Sequence, residues 1–174
     1  MNNQTFWHGK PYYSLNAYCK NTYGEKLSKI ALNAGFTCPN RDGTLDRRGC
    51  IFCSGAGSGD FSMSLTSNQS MAHIIHSYLE QMTCQHPGNR YIGYFQAYTN
   101  TYASVDELMQ KYTAVLDFPQ IAGISIATRP DCLPPEVLQL FQDLKQRYPD
   151  KFIWVELGLQ TIHEKTASFI RRGY

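Results

Sequence analysis

Three apolar runs fix most of what this chain can become: YIGYFQA at 91–97, IAGISIA at 121–127 and FIWVEL at 152–157. Each is short and rich in β-branched or aromatic residues, so each predicts a strand. IAGISIA is apolar at nearly every position, the pattern of a strand covered on both faces. A weaker run at 30–34 precedes them as a first strand. Between the strands lie stretches of helical periodicity. Met71, Ile74, Ile75, Tyr78, Leu79 and Met82 fall at i, i+3, i+4, i+7, i+8 and i+11, one face of a helix. Ser104-Val105-Asp106-Glu107 reads as a capping box opening a second helix, whose inner side carries Val105, Leu108, Met109, Tyr112 and Leu116. Pro134 and Pro135 suit the first turn of a third, with Val137, Leu138, Phe141 and Leu144 as its buried side. A last helix begins near Ile162.

Strand and helix in alternation predict an α/β fold with a parallel sheet. About four β-α units make half of an eightfold barrel, which takes about 250 residues. The expectation is a partial (β/α) TIM-type barrel over residues 26–174, after an N-terminal extension over 1–25. Its sequence stops some two turns into the fourth helix, so the barrel is expected to be incomplete at the C-terminus, with an open edge on the last strand.

The 174 residues are 43% hydrophobic and 17% charged, which excludes a disordered or fibrous chain. A net charge of +2 creates no field that demands or forbids a nucleic-acid partner. MNNQTFWHGKPYY lacks the basic-then-apolar order of a signal peptide, and no apolar run approaches the roughly 20 residues of a membrane span. A reducing, cytoplasmic location with no membrane partner is the resulting expectation.

In such a compartment clustered cysteines point to metal rather than to disulfides. Cys38, Cys50 and Cys53 stand in a C-x11-C-x2-C spacing within one loop after the first strand. Parallel α/β folds keep their chemistry at that end of the sheet. Thiolates select zinc, copper(I) or iron–sulfur clusters. A structural zinc site is a closed set of four, and the loop holds three thiols and no histidine; His73, His76 or His86 would have to complete it. An iron–sulfur cubane on three thiolates leaves one iron open.

The segments CPNRDGT, GCIFC, GSGDF, YFQAYTNTYA, SIATRPDCLP and WVELGLQTIH resemble a bacterial family of radical S-adenosylmethionine (SAM) enzymes related to the elongator catalytic subunit. The likeness runs from about residue 26 to residue 173. It implies that Cys38, Cys50 and Cys53 hold three irons of a [4Fe–4S] cluster, and that the fourth iron chelates SAM. Reductive cleavage of the sulfonium would then give methionine and a 5′-deoxyadenosyl radical. Phe52 would set its backbone against the adenine. Gln96, Thr99 and Asn100 lie where relatives carry a glycine-rich turn for the SAM amino group, although Ala97 and Tyr98 replace the glycines here. Arg129, Glu156 and Gln160 become candidates for the SAM carboxylate and ribose. Relatives modify tRNA at the wobble uridine, which makes tRNA and a reductant such as flavodoxin or ferredoxin the implied partners. Relatives also show Arg-Gly-His where Arg172-Gly173-Tyr174 stands. Two alternatives remain: a catalytically inert fragment that still binds a cluster, and a zinc-stabilised interaction module.

Plainer roles compete for several of these residues. Cys19, Cys84 and Cys132 read as buried or incidental free thiols. Glu156 could pair with Arg129 in a structural ion pair, and Asp60 could cap a turn. Arg41, Arg47, Arg48, Arg171 and Arg172 form either an RNA footprint or a solvated surface. The tyrosines of YFQAYTNTY either stack bases or pack. Gly55, Gly57 and Gly59 would let the backbone approach a bound group closely.

Overall fold

A computed structural model describes residues 9–60, 62–64, 70–85 and 90–174. Phe61 and His86 lie outside them, as do the side chains of Met71, Met82 and Cys84.

The chain alternates as the apolar runs require. Helix α1 (Leu15–Tyr23) precedes β1 (Ser28–Asn33), a two-residue β2 (Met63–Ser64) and α2 (Met71–Gln85). Then come β3 (Tyr91–Phe95), α3 (Val105–Leu116), β4 (Ile121–Thr128), a 3-10 turn (Pro130–Cys132), α4 (Pro135–Arg147), β5 (Phe152–Leu157) and α5 (Glu164–Phe169). The five strands form one sheet in the order β2-β1-β3-β4-β5, every pair parallel. This is an α/β architecture of partial (β/α) type.

Each element follows from its local sequence. Ser104 caps α3, its Oγ accepting from the Glu107 amide at 3.3 Å. Only half of the expected box forms, because the Glu107 carboxylate turns to Lys111 one helical turn on, at 2.5 Å. Pro135 opens α4 behind Pro134 at the N-cap. Every residue of β4 from Ile121 to Ile126 is buried, as its two-sided apolar pattern predicts. One helix face is corrected: Leu140 is buried in place of Leu138, which is 48% exposed. Val137, Leu140 and Leu144 (i, i+3, i+7) define the buried stripe, and Leu138 falls at its margin.

Two cores flank the sheet. The larger joins Ile30, Leu32, Phe95, Ile124 and Ile126 to Ile75, Leu108, Tyr112 and Leu144 of the helices. The smaller lies on the opposite face, where α1 brings Cys19, Tyr18 and Tyr23 against Ile92, Ala122, Phe152 and Trp154. The stretch expected only as an extension thus contributes a helix that covers one end of the inner face. Ser14 and Gly24 bound it, a side-chain N-cap and a left-handed C-cap.

The sheet is strongly curled. Lys29 of β1 and Glu156 of β5 meet at 2.6 Å although β3 and β4 separate their strands. Laid flat at ~4.8 Å per strand, those backbones would stand about 14 Å apart. The inner face is therefore concave. Strand β5 is an edge of the sheet and leaves Val155 and Leu157 exposed, while α5 buries none of its residues. No described helix is long and apolar enough to cross a membrane.

Gly123 has no room for a side chain: a Cβ there would lie 2.4 Å from the Phe152 carbonyl oxygen, a backbone atom that cannot step aside. Gly123→Ala should cost about 1–3 kcal/mol by overpacking, while Leu138→Ala should stay within about 0.5 kcal/mol. Urea denaturation of the two variants checks both values.

Candidate functional site

Loops at the carboxyl ends of β1, β3, β4 and β5 surround a cavity of about 340 Å³. Cys38, Cys50 and Cys53 all reach it, together with Phe52, Gln96, Thr99, Arg129, Glu156 and Gln160. Nine of the ten residues singled out from sequence are thus brought to one cavity. Asn100 is the tenth and does not line it: its amide is fully buried and donates to the carbonyls of Phe95 (3.1 Å) and Ala127 (2.8 Å). Asn100 fastens the β3 loop to β4.

The cysteine loop is held by its own backbone. The amides of Arg41 and Asp42 donate to the Cys38 carbonyl at 2.8 and 3.1 Å, and that of Gly49 donates to Asn40 at 2.9 Å. The Arg41 guanidinium spans the loop and donates to the carbonyls of Cys53 (2.9 Å) and Ser54 (2.7 Å). Arg41 is therefore a structural clamp and not a surface footprint. Asp60 accepts from Ser54 Oγ at 2.8 Å, a turn contact. Gly57 meets an unexpected neighbour. Its missing Cβ would lie 2.4 Å from the Tyr98 ring, so the ring, not a ligand, takes the space. Among the described residues no three His, Cys, Asp or Glu side chains converge tightly enough for a single metal ion. Zinc would draw its sulfurs to within about 4 Å of one another, given bonds of ~2.3 Å in a tetrahedron. A multi-iron cluster takes thiolates at separate corners. His73 and His76 lie exposed on α2, where His76 pairs with Glu80.

Two arginines crowd the sulfurs. Arg129, 2% exposed, forms a bidentate pair with Asp131 (2.9 and 2.7 Å), and its Nη1 stands 3.8 Å from Cys38 Sγ. Burial works against its charge, but Asp131 more than offsets this and carries the guanidinium above its ordinary pKa. Arg172 was not foreseen as a site residue. It is 6% exposed, lines the cavity, and sets Nη1 3.8 Å from Cys50 Sγ. Its other nitrogens donate to the Gly158 carbonyl and to Tyr174 Oη. No carboxylate pairs with it among the described residues. The Tyr174 ring lies 5.1 Å from the Arg129 guanidinium and 4.9 Å from that of Arg172.

Glu156 does not pair with Arg129. Lys29 Nζ donates to it at 2.6 Å and Ser125 Oγ at 2.5 Å, and the same ammonium sits 3.8 Å over the Tyr94 ring. Partial burial alone would raise the Glu156 pKa; these bonds outweigh it and leave the carboxyl below its ordinary value. Of the remaining thiols, Cys19 and Cys132 are free and buried, and burial pushes the Cys132 pKa up to about 11.

Backbone strain gathers at the same place. Ser58, Tyr98 and Gln160 adopt left-handed φ values of 64°, 62° and 71°, and all three line the cavity. Such conformations cost about 1–3 kcal/mol each and concentrate at functional sites. Tyr98 is the informative case. The turn keeps a glycine-like backbone without a glycine, held by Tyr98 Oη donating to the Gly55 carbonyl at 2.7 Å.

A depressed carboxyl pKa contributes stability that is present above the ordinary carboxyl range and lost as pH falls through the folded value. Lys29→Met removes the strongest charged donor and leaves the burial. The Glu156 pKa should then rise, and its share of acid stability should shrink. A carboxylate-carbon NMR titration of both proteins reads the change.

No family model matches the chain. It is 46% identical over 165 residues to the uncharacterized protein YtqA of Bacillus subtilis, an alignment covering 95% of this chain and 50% of YtqA. Protein YhcC of Escherichia coli is 41% identical over 152 residues, covering 87% of this chain and 47% of YhcC. The uncharacterized protein MJ0486 of Methanocaldococcus jannaschii is 31% identical over 157 residues, covering 90% and 47%. The chain spans about half the length of the curated relatives it matches.

Proposed function

We propose that this chain is the cofactor-binding part of a radical SAM enzyme. The observation that carries the reading is the convergence of Cys38, Cys50 and Cys53 on one cavity with Arg172, a buried guanidinium that no carboxylate among the described residues neutralises. A buried charge without a partner costs several kcal/mol. An anionic occupant at the sulfurs would compensate it, and a thiolate-held cluster bearing a carboxylate ligand is such an occupant.

Cys38, Cys50 and Cys53 would hold three irons of a [4Fe–4S] cluster. The bound cluster and SAM would together supply one-electron cleavage of the sulfonium to methionine and a 5′-deoxyadenosyl radical. The chain's own part is to bind and orient. Arg172 would meet the SAM carboxylate with a planar fork of donors. Arg129 is already engaged by Asp131, and would serve chiefly to offset charge beside Cys38. Glu156, kept ionised by Lys29 and Ser125, would accept from ribose hydroxyls, with Gln160 beside it. The exposed Phe52 ring would leave its backbone to border the adenine. A tRNA substrate, a flavodoxin- or ferredoxin-like reductant and a cytoplasmic setting follow from the resemblance in the motifs.

Anaerobic reconstitution with iron and sulfide should give a brown protein with about four irons per chain; dithionite and SAM should then release 5′-deoxyadenosine. Cys50→Ala should abolish cluster assembly. Stoichiometric zinc in a colourless protein would overturn the reading, and a stable cluster without 5′-deoxyadenosine would reduce it to a binding module. Arg172→Gln, read by equilibrium dialysis on iron-loaded protein, should weaken SAM binding roughly 10- to 100-fold, the loss expected for a bond to a charged group. Arg171→Gln should change it less than about twofold.

A further inference from the structure

Asn40 is 1% exposed and sits between the cysteine loop and the last residues of the chain. Its Nδ2 has three acceptors: the Arg171 carbonyl at 2.8 Å, the Arg172 carbonyl at 2.9 Å and Cys50 Sγ at 3.3 Å. Carbonyl oxygens only accept, so the nitrogen end of the amide must face them, and its orientation is fixed by chemistry. The other end is pinned as well. Oδ1 is buried and has no hydrogen-bond partner among the described residues. A Cβ on Gly173 would lie 2.7 Å from that oxygen. Leaving a buried acceptor unmet costs free energy, and such a group calls for an explanation.

We propose that Asn40 is a positioning residue that sets the electron affinity of the bound cluster through its N–H···S bond to Cys50. This rests on the radical SAM reading. Hydrogen bonds to cluster sulfurs withdraw electron density and make the oxidised centre easier to reduce. The donors are distributed unevenly. Cys50 receives Asn40 at bonding distance and Arg172 at 3.8 Å, and Cys38 receives Arg129 at 3.8 Å. No side chain among the described residues donates to the Cys53 sulfur. Asn40 is the closest of these donors and the only uncharged one, so it acts without adding charge to the site. The same amide holds the carbonyls of residues 171 and 172, which fixes the backbone that carries Arg172. One side chain therefore ties the sulfur of a cluster ligand to the arginine proposed to meet SAM.

Only a polar side chain of this length meets all three acceptors. Asn40→Leu keeps the size and removes the donor. Asn40→Ala removes both. In cluster-loaded protein each variant should be harder to reduce, by about tenfold in the reduction equilibrium, which is about 59 mV for one electron; an EPR-monitored redox titration reads it. Wild-type protein provides an independent measurement. With asparagine labelled by 15N at the carboxamide, the reduced cluster should show a weakly coupled 15N in pulsed EPR. An unchanged potential in a variant that folds and keeps its iron overturns the inference. So does an iron-loaded wild type with no 15N coupling, whether or not the variants fold. Wild-type protein that takes up no iron sinks the radical SAM reading and this inference together, whereas iron with cleavage activity and no coupling sinks this inference alone.

Discussion

The parallel hydrogen-bond ladder does not stop where the strands stop, and the cavity depends on that. Beyond the last regular pair of each strand, the amide of Gln96 still reaches the Leu32 carbonyl at 3.2 Å, and that of Asn100 reaches Ala127 at 3.2 Å. The Gly158 amide donates to Thr128 at 2.9 Å. Parallel strands present all their carboxyl ends on one side, and these extra bonds fix the offset of one loop against the next before any functional side chain is placed. The cost appears in the left-handed backbones of Ser58, Tyr98 and Gln160, conformations that hold only where the surroundings over-determine them.

Within that frame the two arginines are not equivalent. Arg129 has its counter-ion two residues along the chain, in a short bidentate pair, and the pair is close to neutral before anything enters the cavity. Among the described residues Arg172 has no carboxylate partner: it meets the Gly158 carbonyl, the Tyr174 hydroxyl and the Cys50 sulfur. Burying a charged group without a paired counter-charge costs free energy. A group entering the cavity would compensate that charge if it were anionic where it touched Arg172. Any anionic group at the sulfurs would meet that condition. Under the proposed reading, the three cysteines would supply that group as a thiolate-held cluster.

Most strands were legible because their information is local. IAGISIA needs no partner to be recognised as doubly covered, and β5 runs over Phe152–Leu157 as its composition implies. The cysteine loop was legible for the same reason: spacing within a dozen residues is visible in a single sequence. Contacts that depend on the curl of the sheet were not. Glu156 finds Lys29, 127 positions away, and nothing near either residue signals the other. Helix α1 was missed because LNAYCKNTY offers few apolar positions to show a period, and its buried residues are the small Ala17 and Cys19. Arg172 carries no local sign of burial, because adjacent arginines are usually exposed. The glycine that follows, at φ +81°, was the one available sign of a tight, specific turn.

The sheet is open, yet its mouth is closed. Tyr98 ties the β3 loop to the cysteine loop: its amide donates to the Gly57 carbonyl at 2.9 Å, and its ring fills the space where Gly57 has no side chain. Asn100 ties the β3 loop to β4, and Gly158 ties β5 to the end of β4. The circuit would break there, since no described strand pairs with the outer edge of β5. Residues 170–174 complete it instead. The Ile51 amide donates to the Ile170 carbonyl at 3.2 Å, and Asn40 holds the carbonyls of Arg171 and Arg172. Four loops thus form a ring around the sulfurs although the described strands do not close into a barrel. A ring closed by loops can hold a rigid guest while the concave face beneath it stays open to a larger one.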